Sequence, residues 1–437
     1  MYRTHTCGCL RAENVNQTVT LAGWVQKVRN LGAMTFIDLR DRYGITQVVI
    51  EEHSPAEARQ TACCVGREWV IQVIGKVIER QSKNPRMATG DIEVAAQKVT
   101  ILHEAEVPPF TIEEVSDGGD DLRMKYRYLD LRRPVMAHNL RVRHNIVKAC
   151  RNYLNDLDFL EVETPYLTKS TPEGARDFLV PSRLSPGEFY ALPQSPQQFK
   201  QMLMMSGVDR YYQVARCFRD EDLRADRQPE FTQVDIEMSF VNEDQVMAMA
   251  EGLIARVFKE AIGVDIELPL KRMPYDEAMR DYGSDKPDTR FDLKLKDVTD
   301  IVHGSAFKLF AGAKLVKALR VPGGATMTRK EIDELTDFVK GFGAQGLAWI
   351  KIHENEWQSP IAKFLSDKER AGIAEVCGLE VGDIVFFQAG EPGLVNNALG
   401  SLRVKLGNKL GLIPENTWNL LWVTDFPLFE YSEVEHR

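Results

Sequence analysis

Residues 207–241 contain two runs of alternating apolar and polar side chains that flank a long charged loop. The first run covers residues 211–218 and the second covers residues 231–240, and the alternation predicts two β-strands. The segment between them, RDEDLRADRQPE, is too polar for a protein core and too long for a tight hairpin turn. Because a long loop held by two strands is more often functional than idle, this hairpin is the first candidate site.

The second predicted strand has an apolar face and a polar face. A solvated face of an antiparallel sheet is one explanation for the polar side chains. Arg219 and Phe231 at the strand ends favour a ligand site instead, because a guanidinium grips phosphate at two points and an aromatic ring stacks on a base. The apolar face is formed by Val234, Ile236, Met238 and Phe240, and the polar face by Gln233, Asp235, Glu237 and Ser239.

This hairpin closely resembles motif 2 of the class II aminoacyl-tRNA synthetases. That motif is an aromatic residue, an arginine, any residue and an acid, then a loop, then an arginine or histidine ahead of a phenylalanine. The amino-acid sequence of the loop resembles that of the bacterial-type aspartyl-tRNA synthetases in particular. The matching residues in chain order are Phe218, Arg219, Asp220, Glu221, Arg227 and Phe231.

The resemblance implies that ATP and L-aspartate are substrates, with Arg219 as the catalytic residue that bridges the aspartate carboxylate and the α-phosphate. Lys200 would face the side-chain carboxylate and favour aspartate over asparagine by its charge. Mg²⁺ would bridge the ATP phosphates, and no residue of the printed sequence is expected to ligate a metal. The implied aspartate-binding residues are Glu173, Ser195, Gln197, Lys200, Arg219 and Asp235, and the implied ATP-binding residues are Arg219, Asp220, Glu221, Gln228 and Phe231.

Two further segments surround this site in the sequence. TKSTPEGARDFLVPSR is rich in residues that break secondary structure and resembles the family's mobile loop, which closes over bound aspartate and carries Glu173. Pro196, followed by Phe199 and Leu203, predicts a short amphipathic helix on which Gln197 and Lys200 share a face.

Residues 17–103 predict an OB-fold barrel, a fold that commonly binds oligonucleotides, although SH3-like barrels give a similar pattern. Within this segment, GWVQKVRNLGAMTFIDLRD resembles the anticodon-binding domain of the same synthetases. The resemblance implies that Phe36 stacks on an anticodon base of tRNA(Asp) and that Arg29, Gln47 and Glu93 read polar groups. A core position for Phe36 and a solvated Arg29 are the alternatives. The predicted strands are 19–29, 34–40, 46–50, 69–78 and 92–101, with a helix at 55–65.

Residues 138–157 predict the clearest helix, with apolar residues at helical spacing. The strand-like FLEVETPYL follows and is interrupted by Pro165. This combination resembles motif 1 of the class II synthetases, which implies a homodimer built through this helix. A helix packed in the core of its own chain is the alternative.

The fold class expected from these segments is a multidomain α+β protein. It has an N-terminal OB-fold β-barrel, a class II antiparallel-sheet catalytic domain and an inserted α+β (GAD-type) domain. The insertion resembles the one that distinguishes bacterial-type members, and no catalytic constellation is evident in it. The expected divisions are the barrel at 1–104, a hinge at 105–122, the catalytic domain at 123–290, the insertion at 291–417 and the resumed catalytic domain at 418–437.

Composition excludes several other classes. The chain of 437 residues is 44% hydrophobic and 27% charged, and it has no apolar run of membrane-spanning length and no N-terminal secretory signal. Seven cysteines without paired spacing argue against a disulfide framework, so a cytoplasmic protein with reduced thiols is expected. The net charge of -9 argues against indiscriminate nucleic-acid binding but permits a specific RNA partner. Neither the class I synthetase signatures nor a Walker loop is present.

Aspartylation of tRNA(Asp) through an aspartyl-adenylate is therefore the expected function. Complete relatives continue into metal-binding acids and motif 3, whereas the printed sequence stops at Arg437, so a truncated chain of uncertain activity is expected. Asparaginyl- or lysyl-tRNA synthetases of the same subclass are the enzymatic alternatives, and a catalytically dead RNA-binding or dimerising fragment is the non-enzymatic one. Leu31 beside Arg29 resembles the type that charges tRNA(Asp) alone, and whether tRNA(Asn) is also charged stays open.

Overall fold

The computed structural model describes residues 2–222 and 227–429, which fall into two compact units. The first unit takes in the described residues up to Phe240 together with Arg256–Val264. The second takes in Val241–Ala255 and the described residues from Asp265 onward. The centre of the motif 2 loop and the end of the predicted segment 418–437 lie outside the described residues.

The N-terminal part of the first unit is a closed five-stranded barrel in the order β1-β2-β3-β5-β4. β3 and β5 pair in parallel and the other neighbours pair antiparallel, which is the OB topology that the sequence predicts. Alternate side chains of each strand point inward, so the barrel has its own apolar core. The elements are β1 (Thr18–Leu31), β2 (Met34–Asp41), β3 (Gly44–Ile50), α1 (Ala56–Cys64), β4 (Val70–Glu79) and β5 (Ile92–His103).

The rest of the first unit carries the motif 2 hairpin. β9 and β10 pair antiparallel over nine residues, and β6 lies parallel to β9 on its other side. The two-stranded sheet β7-β8 stands apart from this one. The elements are α2 (Asp120–Lys125), α3 (Arg127–Asp130), α4 (Pro134–Asp156), β6 (Leu160–Glu161), β7 (Leu179–Pro181), β8 (Phe189–Ala191), α5 (Gln197–Met205), β9 (Arg210–Phe218) and β10 (Glu230–Met238).

Two of the element boundaries that differ from the sequence prediction concern the hairpin and the helix α4. β10 ends at Met238, and Phe240 is 93% exposed with a positive φ of 57°, so its predicted place on the apolar face of the strand is wrong. α4 begins at Pro134 rather than at residue 138. Proline is well suited to the first helical position, because its fixed φ is helical and its missing N–H has no partner there.

The second unit is built on an antiparallel five-stranded sheet in the order β12-β13-β16-β14-β15. A separate parallel pair joins β11 and β17. The elements are β11 (Lys271–Pro274), α7 (Tyr275–Tyr282), β12 (Leu295–Asp297), α8 (Thr299–Val302), α9 (Lys308–Ala311), β13 (Leu315–Val321), α10 (Arg329–Lys340), β14 (Ala348–Ile352), β15 (Trp357–Gln358), α11 (Asp367–Cys377), β16 (Ile384–Gly390), α12 (Pro392–Lys409) and β17 (Leu421–Thr424), and α6 (Glu243–Ile262) contributes residues to both units.

In the sequence, Thr328 and Glu331 have the spacing of a capping box, which predicts that a helix begins there and extends to about Gly341, and the structure confirms this at α10. The Thr328 hydroxyl accepts a hydrogen bond from the Glu331 backbone N–H, and the Glu331 carboxylate accepts one from the Thr328 N–H at 2.8 Å. Within the described residues, no helix has the length and apolar character needed to cross a membrane.

Arg403 on α12 is the largest fully buried side chain of the second unit. Its Nε donates to the Leu293 carbonyl at 2.9 Å and its Nη2 donates to the Phe291 carbonyl at 2.8 Å. The guanidinium also lies 3.9 Å from the centre of the Phe291 ring and 4.9 Å from that of Tyr282. The side chain thereby fixes the segment before β12 to α12, because carbonyls without a donor in this interior are unfavourable.

Replacing Arg403 with methionine is expected to lower the free energy of unfolding by about 2–4 kcal/mol, because two buried carbonyls lose their donors. Denaturant unfolding followed by tryptophan fluorescence measures the change. Arg280→Met is the control, since that arginine is exposed and its ion pair is with the adjacent Asp281. Equal unfolding midpoints for the two variants would contradict this role for Arg403.

Candidate active site and anticodon pocket

The register of the hairpin decides which side chains meet at its open end. Glu230 pairs with Phe218, and the Arg219 N–H donates to the Pro229 carbonyl at 2.9 Å, so the ladder extends one residue past β9. Phe231 lies opposite Cys217 on the next pair. Arg219 and Phe231 are therefore brought to the same end of the sheet by backbone pairing.

Arg219 lies over the Phe231 ring, with its Cζ 5.0 Å from the ring centre. Its Nε is buried and has no hydrogen-bond partner among the described residues. A buried donor with no partner is unfavourable, so the guanidinium is suited to bind an anionic ligand by donating hydrogen bonds to it. A cavity of about 340 Å³ adjoins the pair and is lined by Arg219, Glu221, Asp222, Arg227, Gln228 and Phe231.

Five residues are predicted from the sequence to bind ATP. Asp220 does not line this cavity, and the other four do, namely Arg219, Glu221, Gln228 and Phe231. Asp220 has an exposed side chain, and its contacts are made by its backbone. Its N–H donates to the Arg176 carbonyl at 3.0 Å, and its carbonyl accepts from Arg176 Nε at 3.2 Å. Arg227, the motif arginine, donates to the Glu221 carboxylate at 3.2 Å across the loop.

Lys200, Asp235 and Glu237 form a charged cluster on the polar face of β10. Lys200 Nζ donates to Asp235 Oδ1 at 2.9 Å and lies 3.3 Å from Glu237 Oε2. Asp235 Oδ2 is buried and has no hydrogen-bond partner among the described residues. Burial alone lowers the pKa of Lys200, but the hydrogen bond and charge of Asp235, together with Glu237, outweigh it and raise the pKa above its ordinary value. Lys200 is therefore held as a cation.

The predicted mobile loop is tied to the segment that precedes α5. Ser195 Oγ donates to Glu173 Oε2 at 2.7 Å, so these two predicted residues are in direct contact. Gln197 lies in the first turn of α5, which has Pro196 as its N-cap, and is half-buried.

Sequence reasoning missed Gln194, which is 1% exposed. Its side chain accepts from the Ala175 N–H at 3.1 Å and donates to the Ala175 carbonyl at 2.9 Å and to Asp177 Oδ1 at 2.5 Å. It therefore positions the loop that carries Glu173. Its place directly before Ser195 was the signal in the sequence that could have identified it.

The four residues predicted for the anticodon line a single pocket of about 230 Å³ on the barrel. Gln47 connects them: its Oε1 accepts from Arg29 at 3.1 Å and its Nε2 donates to Glu93 Oε2 at 2.6 Å. Phe36 lies on β2 beside them. The sequence prediction missed Arg80, whose Nη2 donates to Gln47 Oε1 at 2.7 Å.

Burial raises the pKa of Glu93 above its usual range, although the hydrogen bond from Gln47 and the charge of Arg80 act in the opposite direction. An aromatic ring beside fixed amide, guanidinium and carboxylate groups is the combination that recognises an unstacked base.

Comparison with known proteins matches a family model to each of the two parts of the chain that carry these residues. Residues 119–437 match the family model for tRNA synthetases of class II (D, K and N), and residues 19–102 match that for the OB-fold nucleic acid binding domain. An aspartate–tRNA(Asp/Asn) ligase of Nitratidesulfovibrio vulgaris is 64% identical over 437 residues, which are all of this chain and 72% of that protein. An aspartate–tRNA ligase of Oceanobacillus iheyensis is 55% identical over 98% of this chain and 73% of its own length.

Among solved structures, the asparaginyl-tRNA synthetase of Pyrococcus horikoshii complexed with asparaginyl-adenylate matches with a TM-score of 0.56. The identity is 20%, and the match covers 93% of this chain and 96% of that one. At this identity the match shows a shared fold.

The barrel, the hairpin and the matched families together define a class II aminoacyl-tRNA synthetase. Within that class the chain belongs to the aspartate–tRNA ligase family, whose reaction is the ATP-dependent attachment of L-aspartate to tRNA. The asparagine- and lysine-specific alternatives receive no better support than this assignment.

The effect of Asp235 and Glu237 on the pKa of Lys200 can be tested by titration. Asp235→Asn removes the charge that outweighs burial, so the pKa of Lys200 is expected to fall, and Glu237→Gln is expected to lower it less because that carboxylate lies farther away. Since the pairing raises the pKa, its contribution to stability is present at neutral pH and is lost only as the pH rises through that pKa. NMR titration of ¹³C-labelled lysines measures the pKa. Identical titration in all three proteins would contradict the assignment.

Proposed function

We propose that Arg219 is the catalytic residue of aspartate activation in this chain. The observation that supports this role is a guanidinium held over Phe231 beside a cavity, whose buried Nε has no hydrogen-bond partner in the part of the chain that the structure describes. In the first step, a carboxylate oxygen of aspartate attacks the α-phosphorus of ATP, and pyrophosphate leaves with the electrons of the broken bond. Arg219 donates to the carboxylate and to the α-phosphate and stabilises the charge that develops there. In the second step, a hydroxyl of the tRNA end attacks the aspartyl carbonyl and AMP leaves.

The cavity beside Arg219 is proposed to hold ATP. Phe231 stacks on the adenine, and Glu221 and Gln228 hold the nucleotide by hydrogen bonds. Asp220 contributes through its backbone pairing with Arg176, which joins the motif 2 loop to the loop that carries Glu173. This chemistry needs positioning and charge stabilisation rather than a protein nucleophile.

The ion pair between Lys200 and Asp235 is proposed to open when substrate aspartate binds, so that each residue then pairs with an oppositely charged group of the substrate. The side-chain carboxylate of the substrate pairs with Lys200, and its α-ammonium pairs with Asp235, whose Oδ2 has no hydrogen-bond partner within residues 2–222 and 227–429. Ser195 and Gln197 orient the ammonium, and Glu173 closes over it. Asparagine cannot replace the carboxylate opposite Lys200, so the selection is by charge.

Three further features belong to the proposal. Mg²⁺ would accompany ATP and offset the charge of its phosphates. Among the described residues, no group of three or more His, Cys, Asp or Glu is placed to hold a metal ion. A homodimer forms through α4, whose Val142, Ile146 and Val147 line an open groove with Val214 of β9. The cytoplasm is the compartment, since tRNA charging serves translation there.

Arg219→Ala is expected to lower the rate of adenylate formation by roughly 10²-fold or more, because one electrostatic donor to the transition state is lost. Aspartate-dependent exchange of pyrophosphate into ATP measures the rate. The control is Arg216→Ala on the same strand, where an exposed arginine pairs with Glu230. An Arg219→Ala protein that exchanges pyrophosphate as fast as this control would refute the role.

The pocket around Phe36 is proposed to read the anticodon of tRNA(Asp). The relatives named for tRNA(Asp/Asn) support tRNA(Asn) as a second acceptor, whereas Leu31, which lines the same pocket, favours the stricter specificity. Measuring the binding of tRNA(Asp) and of tRNA(Asn) to the same protein preparation distinguishes these specificities. Binding of both favours the broader specificity, and binding of tRNA(Asp) alone favours the stricter one.

Phe36→Ala is expected to raise the Kd for tRNA(Asp) by roughly 5- to 100-fold, because one stacked base loses its aromatic platform. Phe36→Tyr keeps the ring and is the matched control, with a Kd expected near that of the unaltered protein. Filter binding with tRNA(Asp) transcripts measures both. If Phe36→Ala bound tRNA(Asp) as tightly as Phe36→Tyr, the stacking role would be wrong.

A further inference from the structure

A second cleft of about 450 Å³ lies in the first unit between the barrel and the beginning of α4. It is lined by the β2–β3 turn, the loop before β5 and the first turns of α4. Asp41 is the single acidic residue of its lining. Five of the lining residues are arginines, namely Arg40, Arg42, Arg86, Arg132 and Arg141.

The charge of Asp41 is already satisfied inside the barrel. Its Oδ1 accepts from the N–H groups of Tyr43 at 2.8 Å and Gly44 at 3.1 Å. Its Oδ2 accepts from the Cys7 N–H at 2.9 Å and from Arg3 at 3.1 Å. Asp41 therefore fixes the turn that carries Arg42 and makes no ion pair with the five arginines of the cleft.

Arg40 is the observation that points to a ligand. It is 6% exposed, and its Nη2 donates to both oxygens of Glu68 at 2.8 and 2.9 Å. Its Nη1 is buried and has no hydrogen-bond partner among the described residues. Glu68 also accepts from Arg132 at 2.9 Å, so one carboxylate serves two guanidinium groups and the cluster keeps a net positive charge. An anionic oxygen would satisfy the orphaned donor.

The other cations of the cleft add to this charge. Arg42, Arg86 and Arg141 form no ion pair with any described residue, and all three side chains are exposed. The helix α4 is 23 residues long, and its N-cap, Arg133, provides no side-chain hydrogen bond to the first turn. The free N–H groups of that turn also favour a negative charge.

We propose that this cleft binds phosphate groups of the RNA backbone and so extends the anticodon pocket. The proposal rests on tRNA being the partner of this chain. Phe36 and Arg40 lie four residues apart on β2 without a bulge between them, so they share a face of the strand and are separated by about 13 Å. A single RNA strand held at Phe36 can reach that far. Trp24 and Tyr43 line the cleft and suit the sugar and base that accompany a phosphate.

The test measures the affinity for tRNA(Asp) as a function of KCl concentration. Arg86→Ala and Arg141→Ala are each expected to raise the Kd roughly 3- to 10-fold near 0.1 M salt and to reduce the slope of log Kd against log[KCl] by about 1, as expected for a lost phosphate contact. Both residues are exposed, so these variants are expected to fold. Arg59→Ala is the matched control, since it removes an exposed arginine from α1 of the same barrel, outside the cleft.

Two additional measurements separate the outcomes. Calorimetric titration with inorganic tripolyphosphate and with AMP tests for a free phosphorylated ligand. If these ligands bind, their binding is lost in Arg86→Ala and tRNA binding is unchanged, the RNA proposal is overturned and a small phosphorylated molecule is the ligand of the cleft. If both cleft variants match Arg59→Ala in every measurement, the proposal is overturned. If Phe36→Ala weakens tRNA binding in that same series, the failure concerns the cleft alone and not the tRNA partner.

Discussion

The antiparallel pairing of β9 with β10 is the interaction on which the candidate active site depends. Nine consecutive residue pairs fix the register of the hairpin. A shift of one residue would move every side chain to the opposite face. In the observed register, Arg219 and Phe231 meet at the open end, while Asp235 projects toward Lys200 on α5. The arrangement is rigid because the backbone ladder, rather than a flexible loop, sets these positions.

The candidate sites share one feature, which is buried charge held by incomplete pairing. Arg219 Nε, Asp235 Oδ2 and Arg40 Nη1 are all buried polar atoms without hydrogen-bond partners among the described residues. Buried polar groups in native proteins are usually satisfied, and the exceptions therefore need an explanation. We propose that anionic and cationic ligands provide it, because the reaction of this family brings together a zwitterion, a nucleotide and an RNA. On this proposal, binding of the ligand supplies the hydrogen bonds and ion pairs that these atoms lack in the free protein.

The second unit shows the opposite principle. Arg403 is 1% exposed, and its guanidinium contacts carbonyls and aromatic rings of the same unit. Its role is therefore structural. The contrast with Arg219 shows that burial of a guanidinium does not by itself indicate a ligand site. The deciding observation is whether its donors are satisfied by the protein.

The sequence by itself determined the barrel, the hairpin and the helices α4, α5 and α10, because alternating and helical spacings and a capping box are local signals. It also identified the family through the motif around Arg219, and the comparisons support that family. Only the tertiary structure brought Gln194, Arg80 and the arginine cleft into view. Gln194 contacts Asp177 and Ala175, which lie 17 and 19 residues earlier, and Arg80 contacts Gln47, which lies 33 residues earlier. The arginine cleft forms only where the barrel and α4 pack together. Local patterns carry no information about such contacts, which depend on how distant segments meet.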